Sequence, residues 1–142
     1  AEAAAAAAAD GDSTNGAGDL GALPLCEASV KEAMRLQPPA ALLLRVAGED
    51  ASLGGIPIPA GAAIVSSTAA LGREAARWER PDAFDPHRFL DPSSRREARA
   101  SFLAFGGGPR ACVGRQMATT ICVAALAEML RAAAAAEAEG EV

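Results

Sequence analysis

The spacing of apolar residues predicts two helices, one near each end of the folded part of the chain. Residues 23–36 contain no interior helix breaker, Pro24 suits a first helical turn, and Pro38 ends the pattern. In residues 114–131, apolar side chains recur at the three- and four-residue intervals of a helix. The positions concerned are Met117, Ala118, Ile121, Cys122, Ala125 and Met129. We expect this second helix to be buried or half-buried, with Cys122, like Cys26 in the first helix, behaving as a small buried apolar residue.

Short β-like runs lie between the two predicted helices. Residues 52–58 and 62–67 are mainly apolar, follow a similar run at 42–46, and are punctuated by the glycine and proline turns at 54–55 and 59–61. This pattern predicts a small sheet or hairpin.

Three prolines in residues 78–92 exclude a long helix or strand, whereas Phe84 and Phe89 in the same segment need burial. We therefore expect an ordered but irregular meander there. His87 lies within it and is predicted to pack or face solvent without a chemical role. The arginines at 95, 96 and 99 follow as a solvated charge run.

Both ends of the chain have low complexity. Residues 1–19 combine an alanine run with a polar, glycine-rich stretch, which predicts a disordered segment, and residues 132–142 form an Ala/Glu-rich tail. Residues 20–131 remain as one folded unit, and a chain of 142 residues suffices for one small domain. The predicted fold class is mainly α with a small β hairpin or sheet and an irregular meander.

Charge and cysteine content exclude several classes of function. The formal net charge is -5, so a nucleic-acid-binding surface is not expected. Three cysteines without a C-x-x-C pair indicate neither a disulfide framework nor a zinc site and fit a reducing compartment. No run of 18 bulky apolar residues is present, so we expect no signal, transit or transmembrane segment in this chain.

Candidate chemistry concentrates in the segment FGGGPRACVG, which occupies residues 105–114. Cys112 lies just before the second predicted helix, where unpaired backbone N–H groups and the helix dipole favour a thiolate. Glycines before it permit a tight turn, Gly114 after it keeps a Cβ away from the sulfur, and Phe105 is expected to shield the sulfur from water. The alternatives are an ordinary small residue in a glycine-rich turn or a reactive thiol without a metal.

The spacing F-x-x-G-x-R-x-C-x-G, formed by Phe105, Gly108, Arg110, Cys112 and Gly114, resembles the signature of the cytochrome P450 family of haem-thiolate monooxygenases. The resemblance implies that Cys112 is the axial ligand of the haem iron in haem b. It also implies that Arg110 binds a haem propionate, because a guanidinium recognises carboxylates well.

The family also uses an E-x-x-R pair on an upstream helix, and three such pairs occur here, at 32–35, 74–77 and 128–131. Only the first precedes a proline-ended helix, a turn and the run FDPHRF at 84–89 in the family's order. The resemblance therefore implies that Glu32, Arg35 and Arg88 form a buried structural triad.

Two further positions gain an interpretation from this resemblance. Arg45 stands where many members place a second propionate-binding arginine, with a solvated strand arginine as the alternative. The apolar residues 39–44 resemble a segment lining the substrate pocket, with plain core as the alternative. The run LGR at 71–73 is similar to that of the mitochondrial steroid-hydroxylase class, although Thr119 and Thr120 depart from the usual pattern after Ala118.

The implied function is a monooxygenase that inserts one oxygen atom from dioxygen into an apolar small-molecule substrate, with electrons from a reductase or ferredoxin. The chain corresponds to the C-terminal, haem-binding part of the cytochrome P450 fold. The distal oxygen-activating residues are not recognised, so no catalytic residue is assigned and the fragment alone is expected to be inactive.

Alternatives are a rearrangement enzyme of the same fold that does not use dioxygen, and a truncated, non-enzymatic product. A full-length parent is compatible with membrane association at the endoplasmic reticulum or mitochondrion.

Overall fold

The computed structural model describes residues 23–140, and in that range the chain is rich in helix with two small sheets. The helices are α1 (Pro24–Leu36), α2 (Thr68–Leu71), α3 (Arg95–Ser101) and α4 (Arg115–Glu139). The strands are β1 (Leu42–Val46), β2 (Ala51–Leu53), β3 (Ile56–Ile58) and β4 (Ala63–Ser67). Single 3-10 turns occupy Pro86–Phe89 and Gly108–Arg110. The predicted segment at 1–19 lies outside the described residues.

Helix α1 confirms the prediction for residues 23–36. Pro24 occupies its first position, where its missing N–H costs nothing, and the Gln37 N–H closes the last turn on the Ala33 carbonyl. Cys26 is buried as expected, and burial raises the pKa of its thiol. The same helix also buries two charged residues, Glu32 and Arg35.

The β region forms two separate antiparallel pairs. β1 pairs with β4, so that Leu44 lies opposite Val65, and β2 pairs with β3. The prediction of one β piece at 52–58 was therefore wrong: Gly54 and Gly55 adopt φ of 58° and 83°, which reverses the chain into a hairpin.

The core is small and lies between α1, the meander and α3. It contains Ala28, Trp78, Phe89 and Ala98, with Phe102 packed against it. The meander is ordered and irregular, as predicted, but of its two phenylalanines only Phe89 is buried, whereas Phe84 is 56% exposed. At the start of its 3-10 turn the Asp85 carboxylate accepts a hydrogen bond from the His87 N–H. His87 faces solvent, and the arginines at 95, 96 and 99 are exposed on α3. The charge run therefore takes helical form, which the sequence pattern did not predict.

Helix α4 differs from the prediction in its length and in the side that is buried. It begins at Arg115, three residues after Cys112, and continues past residue 131 through the alanine-rich segment. Its apolar residues are mostly exposed, at 66% for Met117, 58% for Ile121 and 70% for Met129, and Cys122 is exposed too. Val123 and Ala127 are buried instead, on a helix that contacts α1. Periodicity predicted the helix correctly but not which side is covered.

By length and composition alone, residues 115–138 of α4 could cross a membrane. The helix contacts α1 and buries Val123 and Ala127, and 11% of the apolar span is buried.

Candidate haem-binding site

The carboxylate of Glu32 is the centre of a buried ion-pair network. Arg35 holds it with two parallel hydrogen bonds, from Nε to Oε2 and from Nη2 to Oε1, both 2.8 Å long. Arg88 donates from Nε to the same Oε1 at 3.0 Å, and the Asp85 N–H donates to it at 2.9 Å. The side chain of Glu32 is 0% exposed. The structure thus brings together the three residues of the expected triad.

Two guanidinium groups around one carboxylate leave an excess positive charge, which backbone carbonyls stabilise. Arg35 Nη1 donates to the carbonyls of Gly72 at 2.5 Å and Pro81 at 2.6 Å, and Nη2 donates to that of Ala83 at 3.0 Å. Arg88 Nη1 donates to the Glu79 carbonyl at 3.0 Å. Because these bonds run from Arg35 and Glu32 on α1 to residues of the meander, the network ties the meander to α1. Within the described part of the chain no buried side-chain N or O atom lacks a partner.

Burial and hydrogen bonding act in opposite directions on Glu32. Burial favours the neutral acid and raises the pKa of the carboxyl, but the hydrogen bonds from Arg35, Asp85 and Arg88 favour the carboxylate and prevail. The pKa of Glu32 therefore lies below its ordinary value. The network holds its charged form at neutral pH.

A row of aromatic rings connects this network to the cysteine loop. The rings of Trp78 and Phe89 are 6.1 Å apart, those of Phe89 and Phe102 are 5.5 Å apart, and those of Phe102 and Phe105 are 6.3 Å apart. Trp78 lies under the guanidinium groups of Arg35, at 5.1 Å, and Arg88, at 6.0 Å. The sequence did not reveal that Trp78 and Phe102 belong to this row, because ring-to-ring contacts between distant segments leave no local pattern.

The cysteine loop is held by backbone hydrogen bonds and by two glycines. The Cys112 N–H donates to the Phe105 carbonyl at 2.9 Å, which closes the loop. Gly106 and Gly108 adopt φ of 69° and 66°, a left-handed conformation that residues with a Cβ rarely adopt. Cys112 is exposed, and the side chain of Val113 beside it is fully in solvent. The loop thus presents its thiol at the surface.

The role expected of Gly114 is not seen among the described atoms. A Cβ built on Gly114 would lie 3.8 Å from Cys112 Sγ, which is ordinary van der Waals contact. Cys112 lies just before α4, as predicted, since the helix starts at Arg115 with Gly114 as its N-cap. Phe105 is half-buried and packs edge-on against Phe102.

Two arginines lie on the loop's side of the molecule. Arg110 is exposed at the end of the 3-10 turn, and its side chain makes no hydrogen bond or ion pair with any residue in 23–140. Arg45 is exposed on β1, and among the described residues its side chain donates only to the neighbouring Leu44 carbonyl, at 2.8 Å. Leu43 shares its face of β1 and lies within 3.9 Å of a Cβ built on Gly106, so this face is turned toward the loop.

A groove of about 470 Å³ opens beside the loop, between α1, α3 and α4. Phe89, Phe102 and Phe105 line it together with Val123, and Arg99 and Arg115 contribute positive charge. The volume is in the range of small-molecule pockets.

Comparison with known proteins decides what this arrangement is. The family model described as Cytochrome P450 matches residues 6–134. The chain belongs to the cytochrome P450 family. The family resemblance found in the cysteine loop is thereby confirmed, and so is the fold class.

Relatives of this P450 chain come from plants and bacteria. It is 39% identical over 119 residues to Cytochrome P450 76M5 of Oryza sativa subsp. japonica, covering 80% of this chain and 24% of that protein. It is 38% identical over 112 residues to Pentalenene oxygenase of Streptomyces avermitilis, covering 79% of this chain and 25% of that protein. The chain therefore spans about a quarter of the length of the curated relatives it matches.

A solved structure of a zebrafish cytochrome P450 with abiraterone superposes with a TM-score of 0.77 at 34% identity. The match covers 92% of this chain and 31% of that one. The helices, small sheets and meander described above thus form part of the cytochrome P450 fold.

The cofactor of the family is haem, and the residues of this P450 chain fit it. An exposed thiol on a loop closed by a backbone hydrogen bond is a suitable soft ligand for iron. The side chain of Arg110, which has no hydrogen-bond partner in residues 23–140, and that of Arg45, which within the same range bonds only the Leu44 carbonyl, are available to the two carboxylates that haem carries.

Proposed function

We propose that this chain forms the thiolate side of the haem site of a cytochrome P450 monooxygenase, with Cys112 as the axial ligand of haem b. The observation that carries the proposal is the loop at 105–114, in which the Cys112 N–H bond to Phe105 and the left-handed glycines present one exposed thiol. When bound, haem supplies the redox chemistry by which such enzymes use dioxygen.

The protein's own residues would bind and orient the cofactor. Cys112 donates its sulfur to iron, and Arg110 and Arg45 pair with the propionates. The Phe105 carbonyl holds the Cys112 backbone, and the Glu32, Arg35 and Arg88 network keeps the loop's scaffold in place without touching the reacting atoms. The distal residues that handle oxygen are assigned to no position in this chain.

The names of the relatives support a proposal for the substrate class. One of them is named an oxygenase of pentalenene and others are named ferruginol synthases. We therefore propose an apolar small molecule as the substrate, with dioxygen as the second reactant and a reductase or ferredoxin as the electron donor.

Haem ligation is tested by adding haem to the chain, reducing it and exposing it to carbon monoxide. A strongly red-shifted Soret band is expected from the wild-type chain and is expected to disappear in Cys112→Ala. Cys122→Ala is the matched control, because Cys122 is also exposed but lies on α4 away from the loop. Absence of the band from the wild-type chain, or its persistence in Cys112→Ala, would refute the proposal.

A further inference from the structure

Arg115 occupies a position that helix stability does not explain. It is the first residue of α4, where the positive end of the helix dipole disfavours a cation, and no acidic residue in the first turn compensates. Its side chain makes no hydrogen bond or ion pair within residues 23–140. The guanidinium instead makes a cation-π contact, in which its central carbon lies 5.8 Å from the centroid of the Phe105 ring.

Phe105 is the residue that closes the cysteine loop. Its carbonyl accepts from the Cys112 N–H at 2.9 Å, and its ring packs edge-on against Phe102 on one side while Arg115 lies on another. The Arg115 backbone is also connected to Cys112, since its N–H donates to the Cys112 carbonyl at 3.4 Å. Arg115 therefore contacts both ends of the loop that presents the thiol.

Arg99 provides a natural comparison. It is exposed and lines the same groove as Arg115, and its side chain likewise makes no hydrogen bond or ion pair with a described residue. No cation-π contact joins it to Phe105, and it lies on α3 rather than next to Cys112. The two arginines thus share charge, exposure and groove, and differ in the contact with the loop.

We propose that Arg115 is a positioning residue of the haem site. Its guanidinium holds the Phe105 ring in place, and the Phe105 carbonyl in turn holds the Cys112 backbone. These two contacts fix the position of the Cys112 thiol relative to the Arg115 guanidinium. The positioning of Cys112 is a property of the chain itself. The effect on bound haem rests on the function proposed above.

The positioning is tested without haem by amide hydrogen exchange of Cys112, measured by NMR. Arg115→Met keeps the length of the side chain and removes its charge, and is expected to speed exchange of the Cys112 amide about three-fold, the scale of one exposed cation-π contact. Arg115→Lys restores part of the protection, and Arg99→Met leaves the rate unchanged. In a Phe105→Leu background Arg115→Met has no further effect.

Equal exchange rates in Arg115→Met and Arg99→Met would overturn the proposal. So would an effect of Arg115→Met that survives intact in the Phe105→Leu background, since the contact with Phe105 would then not be its route. Global unfolding is recognised because it speeds the exchange of α1 amides as well, whereas the proposal requires the change to be confined to the loop.

The second measurement is the reduction potential of the haem-loaded chain. A cation near the haem favours the reduced, more negative state, so Arg115→Met is expected to shift the potential to more negative values, Arg115→Lys less so, and Arg99→Met least. An unchanged potential in Arg115→Met would overturn the role at the haem. If the wild-type chain fails to give the red-shifted carbon monoxide band, the proposed function fails, and the exchange rates alone decide the positioning role.

Discussion

Arg88 donates a hydrogen bond of 3.0 Å to Glu32, a residue 56 positions earlier in the chain, and both side chains are buried. This contact joins the meander to α1. Because Glu32 also holds Arg35 with two hydrogen bonds, the loss of a single carboxylate would leave two guanidinium groups buried without a counter-charge.

Replacing Glu32 by glutamine is expected to reduce the free energy of unfolding by about 3–5 kcal/mol, the usual cost of removing one partner of a buried ion pair. The measurement is urea denaturation followed by the fluorescence of Trp78, the one tryptophan in the chain. Glu27→Gln is the control, because Glu27 pairs with Lys31 near the surface of the same helix and its loss should cost less than about 1 kcal/mol. Equal effects of the two variants would contradict a central role for Glu32.

Acid is expected to destabilise the fold through the same carboxylate. Since the pKa of Glu32 is lower in the folded chain than the value of about 4.3 in an unfolded one, the unfolded state binds the proton more readily. The stabilisation is complete above the unfolded pKa and is lost as the pH falls through the folded pKa. Urea midpoints between neutral pH and about pH 3 measure it.

Glu32→Gln should flatten the acidic part of this pH profile. Asp91→Asn is the comparison, since the hydroxyl and N–H of Ser93 lower the pKa of that exposed carboxyl and its contribution has the same sign. A profile as steep in Glu32→Gln as in the wild type would show that other carboxylates account for acid unfolding.

Glycine is required at position 72 because there is no room for a Cβ, not because the backbone adopts a left-handed conformation. A Cβ at this position would lie 2.3 Å from the Arg35 carbonyl oxygen, a backbone atom that cannot move without shifting α1. Gly72→Ala is therefore expected to cost about 1–3 kcal/mol in urea denaturation, as an overpacking substitution. Gly48→Ala should be nearly neutral, because nothing lies within 4 Å of a Cβ there. A neutral Gly72→Ala would show that α1 and residue 72 are not so closely packed.

Arg110 and Arg45 are expected to contribute to haem affinity. Each glutamine substitution removes one charge-assisted hydrogen bond to a propionate, worth about 1.5–3 kcal/mol, so the Kd for haem should rise about ten-fold or more. Titration of the chain with haem, followed by absorbance, measures this. Arg77→Gln is the control, since Arg77 is exposed and pairs with Glu74 in a surface ion pair. Unchanged affinity in Arg45→Gln would leave Arg45 as a solvated strand residue.

Family membership could be read from the sequence because the haem-loop signature is a local motif. Five residues within ten positions define the motif, and their spacing does not depend on how the rest of the chain packs. Helix α1 was predictable for the same reason, since Pro24 and Pro38 mark its limits. The pair Glu32 and Arg35 could be chosen from three E-x-x-R pairs only by the order of motifs along the chain.

Tertiary structure alone decided the contacts between distant segments. The carbonyl partners of Arg35 and Arg88, the aromatic row from Trp78 to Phe105 and the close approach of Gly72 to Arg35 have no periodic signature. The exposed apolar residues of α4 show the same limit: periodicity predicts that a helix has an apolar side, but which side is covered depends on the elements that pack against it. Burial is a property of neighbours brought together by folding, and the pattern of a single segment does not contain them.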